Sequence, residues 1–211
     1  MTETGKRDFD KESETWDENP ARTELARAIS GAILRRVSIT KSMDALDYGA
    51  GTGLVTLALQ PHVRSLVAAD SSEGMLAKLS EKVTVSGLSN VQTVLLDLEN
   101  DPAPEWRFDL IVSSMTFHHI QSIPALVLRL SEMLRTGGYI AVADLDLDDG
   151  EFHADSTGVK HDGLDRDEMK RIFAASGLDE VTVDTAHTMA REVPGKGQRE
   201  FSIFLIAGKK S

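Results

Sequence analysis

LDYGAGTGLVTLAL, residues 46–59, joins an apolar strand end to a turn with glycine at every second position, and then to the opening of an apolar helix. Glycines spaced in this way let the backbone bend tightly and lie against a ligand without side-chain obstruction. A strand, such a turn and a following helix put the ligand at the carboxyl edge of a sheet, where helix N-terminal amides favour negative or polar groups. A nicotinamide dinucleotide fingerprint, G-x-G-x-x-G, needs a third glycine where this chain has Leu54, so that fingerprint fails. The turn instead reads D-x-G-x-G-x-G, with Asp47 just ahead of it, placed to order loop amides or to reach a ligand ammonium through water.

Outward from the turn, strands and helices alternate. Residues 43–48 form the first strand, and the helix from Leu54 ends near Pro61. Strands at 65–70, 91–97, 108–114 and 139–145 are separated by helices at 72–86, closed by Gly87, and at 122–135, closed by Gly137-Gly138. Strands separated by helices imply right-handed crossovers and a mainly parallel sheet, and their Val- and Ile-rich runs suit burial on both faces. A polar stretch over 146–164 precedes a helix at 165–176, and two extended segments around PGKG in 179–208 read as an antiparallel pair at a sheet edge. Ahead of the first strand, Asn19 caps a helix over 20–37, with Pro20 in its first turn and Leu25, Ile29, Ile33 and Val37 at helical spacing. The first twenty residues read as a mobile or lid-like leader anchored by Trp16. One domain over 1–211 is expected: a lid (1–37), a core (43–145), and a closing part (146–211) with a substrate loop, the last helix and the edge hairpin.

Composition narrows the class. The 211 residues are 41% hydrophobic and 27% charged, which supports a substantial core. A net charge of -11 argues against a protein that blankets nucleic-acid phosphates. With no cysteine, thiol nucleophiles, disulfides and thiolate metal sites are excluded. The start is unlike a signal peptide and no apolar run would span a bilayer, so a cytoplasmic protein without an integral membrane segment is expected. Residues 144–185 hold thirteen acids against four bases, read mostly as a solvated face, with a subset available to a pocket mouth.

Three features fall in register with the turn. Asp70 ends the second strand, where a carboxylate accepts both hydroxyls of a ribose or caps the next helix. Asp97 and Leu98 end the third strand, an acceptor and an apolar neighbour suited to adenine, or simply loop residues. SSMTFHH, 113–119, follows the fourth strand and brings carbonyls and polar groups opposite the turn.

With these in place, LDYGAGTGLVTLAL, AADSSEGML, VLLDLE, FDLIVSSMTFHHI and LRTGGYIAVAD, taken in order, resemble the motifs of class I S-adenosylmethionine-dependent methyltransferases. They are most similar to the small-molecule, quinone-biosynthesis-type branch. The resemblance is close over 43–145 and looser elsewhere. It implies a Rossmann-like α/β fold: a seven-stranded, mostly parallel sheet with helices on both faces and an antiparallel edge hairpin. It also implies S-adenosyl-L-methionine as cofactor. Asp47, Tyr48, Gly49, Ala50, Gly51 and Gly53 would lie by its methionine part, Asp70 on the ribose with Ser71 and Met75 nearby, Asp97 and Leu98 at the adenine, and Ser113 and Ser114 toward the amino-acid part. Trp16 and Arg22 would close over the pocket, Arg22 toward the carboxylate, although an exposed helix arginine is the plainer reading. The cofactor is net cationic, and carboxylates around its site supply a favourable potential.

The sulfonium already activates the methyl group, so the protein's tasks are in-line alignment and exclusion of water, with a general base for a protonated acceptor. The candidate bases are His118, His119 and His161, with Asp144, Glu151 and His153 behind them. The plainer reading has the His118-His119 pair packing and bonding to local backbone, and 160–169 as a loop with Asp165 capping a helix. No metal site is expected: H-x-x-x-H spacing is absent, and the fourth strand ends in serines rather than the acid that magnesium would need. Relatives of this fold that methylate nucleic-acid amino groups carry an Asn/Asp-Pro-Pro-aromatic motif after the fourth strand, and this chain does not. A small-molecule acceptor and no nucleic acid are therefore expected, in a monomer or homodimer. The alternatives are a non-catalytic cofactor-binding or partner subunit of the same fold, and a nicotinamide-dependent oxidoreductase.

Overall fold

The computed structural model describes residues 7–153 and 155–211; residues 1–6 of the expected leader lie outside the described residues. Seven strands form one sheet: β1 (Asp44–Tyr48), β2 (Ser65–Asp70), β3 (Val91–Leu95), β4 (Phe108–Ser114), β5 (Leu134–Leu145), β6 (Leu178–Val193) and β7 (Gly197–Lys210). Their order is β3-β2-β1-β4-β5-β7-β6. β1 pairs in parallel with both β2 and β4, β4 with β5, and β2 with β3, while β7 runs antiparallel between β5 and β6. The fold is thus α/β and Rossmann-like, mostly parallel with an antiparallel edge. The order reverses between β1 and β4, and a crevice opens at such a switch point outside the strands' carboxyl ends.

Alternation along the strands explains the burial on both faces. Ala45, Leu110, Val112, Ala141 and Ala143 point to one core, together with Ile29 and Ile33 of α2 (Pro20–Arg36) and Leu59 of α3 (Leu54–Leu59). Leu46, Ile111, Ile140 and Val142 point to the other, with Leu126 and Leu130 of α5 (Ile123–Glu132) and Met169 and Phe173 of α6 (Arg166–Ala175). A period of two puts successive side chains on opposite faces, and helices cover both, so the strands read as continuous apolar runs. Between β2 and β3 runs α4 (Glu73–Val85), whose Leu79 reaches the first core.

Three local expectations change. The helix expected over 122–135 stops at Glu132, and β5 begins at Leu134 rather than 139. Gly137 and Gly138 do not close the helix. They lie in the strand, where the register against β4 shifts between Phe108↔Leu134 and Leu110↔Tyr139. Gly137 takes φ +80°, and a Cβ on Gly138 would meet the Arg135 and Asp109 carbonyl oxygens at 2.9 and 3.1 Å, so this irregularity requires glycine. Third, the leader is ordered over its described part, with α1 (Phe9–Glu12) and a 3-10 turn at Trp16–Glu18, and Phe9 joins Trp16 as an anchor.

The edge hairpin is longer than its neighbour. β5 ends at Leu145 opposite Ile203, while β6 and β7 continue pairing to Val193↔Gly197. The far end of the hairpin therefore overhangs the carboxyl edge, where Phe152, Val193 and Phe201 pack together in the core that contains Leu25. Among the described residues no helix is long and apolar enough to cross a membrane.

Candidate active site

The glycine turn is held by the strand beside it. The amides of Gly49 and Ala50 donate to the Ala69 carbonyl at 2.8 and 3.0 Å. Gly49, Gly51 and Gly53 all take left-handed φ, at +74°, +55° and +85°. A Cβ on Gly49 would strike Thr116 and one on Gly53 would strike Leu79, whereas Gly51 faces open space. Asp70 Oδ2 accepts the Gly51 amide at 2.7 Å and Oδ1 accepts the Ser72 amide at 2.9 Å. Burial pushes the Asp70 carboxyl up, against these amide bonds. The cap of α4 is Ser72, whose hydroxyl accepts the Met75 amide, so the expected alternative of Asp70 as the helix cap does not hold.

Asp47 is 1% exposed and accepts a 2.6 Å bond from the Thr56 hydroxyl. Burial pushes its carboxyl up to about 7. The folded state thus holds the proton that the unfolded chain releases near its ordinary value, and stability present at low pH is lost as pH rises toward 7. Asp47→Asn is expected to remove this loss: the variant's advantage over the parent should grow between pH 4 and 8 to about 4 kcal/mol in urea unfolding. A pH-independent difference would mean that Asp47 ionises freely in the folded protein.

Several other expected cofactor residues face inward. Tyr48 lies in the second core, its hydroxyl accepting the Leu98 amide at 3.2 Å, with burial raising its pKa. The Ser113 hydroxyl donates to the Tyr48 carbonyl at 2.7 Å, and Leu98 and Met75 are buried. The Asp97 carboxylate organises its own turn, accepting the Glu99 amide at 3.0 Å and the Asn100 side-chain amide at 2.8 Å. Ser71 is exposed, Ala50 and Ser114 are half-buried, and the Ser114 carbonyl accepts the Thr116 hydroxyl at 3.1 Å.

Sequence reasoning missed how the leader is fastened. Asp10 Oδ1 accepts the Ser72 hydroxyl at 2.6 Å and the Gly74 amide at 2.8 Å. Asp17 accepts the Thr52 hydroxyl at 2.6 Å and pairs with Lys82, which also donates to the Thr52 carbonyl. The leader therefore lies across the glycine turn and the start of α4. The alternation of acids and aromatics in Phe9-Asp10 and Trp16-Asp17 was the available signal. Arg22 stacks on Trp16, 3.7 Å from the ring centroid, and donates to the Trp16 carbonyl at 3.2 Å.

Beyond β4, the 3-10 turn at Phe117–His119 meets the segment after β5. His118 is 1% and Asp144 0% exposed, and His118 Nδ1 lies 2.6 Å from Asp144 Oδ1. Asp144 also accepts the Leu145 amide at 2.7 Å on Oδ1 and the Phe117 amide at 2.8 Å on Oδ2. Burial opposes its ionisation, but His118 and these amides hold its pKa below the ordinary carboxylate value. An ionised Asp144 makes Nδ1 the protonated nitrogen and leaves Nε2 as the basic one. His119 and His153 flank the His118 ring at centroid distances of 4.1 and 4.9 Å. Burial first, then the neighbouring imidazole and arginine charges, lowers both to about 4. His119 Nδ1 lies 2.9 Å from the Gly158 carbonyl, and Phe9 meets the His119 ring edge-on at 5.2 Å. His161 stands apart, its Nε2 2.9 Å from the Ile120 carbonyl. Glu151 is tied to Lys196 and Arg199. Among the described residues no group of three or more His, Asp or Glu side chains could hold a metal ion.

Comparison with known proteins meets this geometry from outside. A family model described as a methyltransferase domain matches residues 21–183. An uncharacterized methyltransferase of Schizosaccharomyces pombe is 31% identical over 135 residues, 57% of this chain and 48% of that protein. The chain thus spans about half the length of that curated relative. A SAM-dependent methyltransferase from Aquifex aeolicus superposes with a TM-score of 0.70 at 22% identity, over 96% of this chain and 98% of that one. Phosphoethanolamine N-methyltransferase 2 of Haemonchus contortus, solved with S-adenosyl-L-methionine, superposes with a TM-score of 0.69 at 17% identity, over 86% of this chain and 52% of that one.

Proposed function

Because this chain belongs to the methyltransferase-domain family, we propose that it moves a methyl group from S-adenosylmethionine to a small-molecule acceptor, with His118 taking the acceptor's proton. The observation that carries this reading is the buried 2.6 Å contact of His118 Nδ1 with Asp144, at the strand ends that also bear the glycine turn.

The residues suit the cofactor. Gly51 leaves open space where a side chain would stand, and Asp70 is a half-buried acid whose described contacts are amides rather than a counter-cation. A carboxylate has about four lone-pair positions, so Asp70 keeps room for hydroxyl donors beside its two side-chain-to-amide bonds. Asp70, Ser71 and the 49–53 turn would hold the nucleoside and methionine parts, and Trp16 would lie over them with the leader. The bound cofactor supplies an electrophilic methyl group on a sulfonium.

His118 Nε2 accepts the proton of an acceptor O–H or N–H as that atom begins to bond carbon, and Asp144 stabilises the imidazolium that results. His119 and His153 remain neutral near pH 7 and would wall an acceptor chamber beside His118 without competing as cations. The leader, through Phe9 on His119, excludes water from the same space. The net charge of -11 favours a small acceptor over a polynucleotide.

S-adenosylhomocysteine at a hundred times its Kd is expected to stabilise the protein by about 2.7 kcal/mol, a rise in Tm of roughly 5–10 °C, while NAD produces none. A scanning-fluorimetry shift with NAD alone would move the protein to the nicotinamide class. No shift with either ligand would leave a fold without its cofactor.

A further inference from the structure

We propose that the methyl acceptor is a small organic anion, its negative group held by Arg191 and by His153 at the wall of the histidine chamber. This rests on the methyltransferase reading and deepens it.

The chain is acidic overall, yet, Asp144 apart, the charges that act on His119 and His153 are positive. Arg7 acts on both His119 and His153, and Arg191 acts on His153. Arg22 in turn senses Arg7 and Arg191. The nearby acids are already engaged. Glu12 takes the Arg7 guanidinium at 2.6 and 2.7 Å and lies 3.8 Å from Arg22, while Asp144 is committed to His118. On the overhanging hairpin, Arg191 stands opposite Arg199, and Glu151 is shared by Arg199 and Lys196.

Arg191 itself has no carboxylate partner among the described residues. It donates to the Phe152 carbonyl and stacks on the Phe152 ring, 4.5 Å from its centroid. That ring touches His153 edge-on at 4.9 Å. Burial lowers the Arg191 pKa, the mark of a guanidinium partly withdrawn from water. A withdrawn charge without a counterion is unfavourable, and an anion in the chamber would relieve it. The second observation is independent. His153 Nε2 is a buried side-chain nitrogen with no hydrogen-bond partner among the described residues. Buried polar atoms are nearly always satisfied, so this orphan, on an imidazole packed among the His118, His119 and Phe152 rings, calls for a ligand atom. As Nε2–H of a neutral imidazole it is a donor, and an anion's oxygen is the matching acceptor. A guanidinium binds carboxylate or phosphate through its planar fork, with strong charge-assisted bonds.

The test uses the full chain saturated with S-adenosylhomocysteine and three fluorinated probes of one shape: 4-(trifluoromethyl)benzoate, 4-(trifluoromethyl)phenyl phosphate and 4-(trifluoromethyl)benzamide. Titration followed by 19F NMR should show at least one of the anions binding tenfold or more tighter than the amide. Arg191→Gln should erase that preference, and His153→Phe should weaken the anion severalfold, both with an unchanged Kd for S-adenosylhomocysteine. The better of the two anions identifies the acceptor as a carboxylate or a phosphate ester. The proposal is overturned if the amide binds as well as both anions, if none of the probes binds, or if Arg191→Gln binds the anions like the parent. Loss of S-adenosylhomocysteine binding by the parent protein, read in the same samples, would instead count against the methyltransferase reading.

Discussion

Asp144→Asn is expected to lower kcat about a thousandfold and to leave the Kd for S-adenosylhomocysteine within threefold of the parent. Asp144 accepts from three donors: His118 and the Leu145 amide on one oxygen, and the Phe117 amide on the other. An asparagine keeps the shape but has only one accepting atom. With that oxygen kept toward His118 and Leu145, its NH2 group faces the Phe117 N–H, a donor against a donor that costs about 1–3 kcal/mol of stability. With the group flipped, His118 loses the acceptor that fixes its protonated nitrogen. In either case the negative charge that stabilises an imidazolium is gone, and the loss falls on kcat rather than on KM. A merely structural role would leave the turnover of the folded variant unchanged, so a near-parental kcat in the folded fraction would remove the pair from the chemistry.

Gly53→Ala and Gly51→Ala are expected to fail in different ways, although the residues stand two positions apart. A methyl on Gly53 would sit 2.2 Å from Leu79 Cδ1, and Leu79 is fully buried. Overpacking adds to the strain of a left-handed alanine, so a loss of about 4 kcal/mol is expected in urea unfolding. Gly51 meets nothing within 4 Å, and its alanine carries only the strain of its φ, about 1 kcal/mol. Its methyl would occupy the space assigned to the cofactor, so calorimetry should show S-adenosylhomocysteine bound at least a hundredfold more weakly. Parental affinity in Gly51→Ala would place the ligand elsewhere.

The parts of this molecule that are legible in the sequence are those where local chemistry and tertiary structure agree. A glycine at alternate positions after an apolar strand allows few other geometries, and acids at strand ends mark the carboxyl edge, so the sheet and the turn could be laid out from residues 43–145. The start of β5 was not legible, because Leu134 joins the sheet by pairing with Phe108 across a register shift that no local pattern announces. Nor was the division of labour among the acids. Asp47 and Asp70 look alike in sequence, yet one is sealed beneath the turn by Thr56 while the other reaches the Gly51 amide beside open space. The pairing of His118 with Asp144 spans 26 positions and depends on β4 and β5 being neighbours. Arg191 was invisible in the sequence because it belongs to an edge strand, and only the overhang of that hairpin brings it onto Phe152 beside His153.

That overhang separates an outer hairpin from the inner sheet. In the proposed reading the switch-point strands hold the donor, where β1 is paired on both sides by β2 and β4. Beyond the bond of the Asp146 amide to the Ser202 carbonyl, the two strands of the hairpin pair with each other, so lengthening the tip or exchanging its outer residues is expected to alter acceptor selectivity while the inner sheet keeps its register. Transplanting residues 186–201 between members of the family is thus expected to exchange acceptor selectivity with the donor's affinity kept.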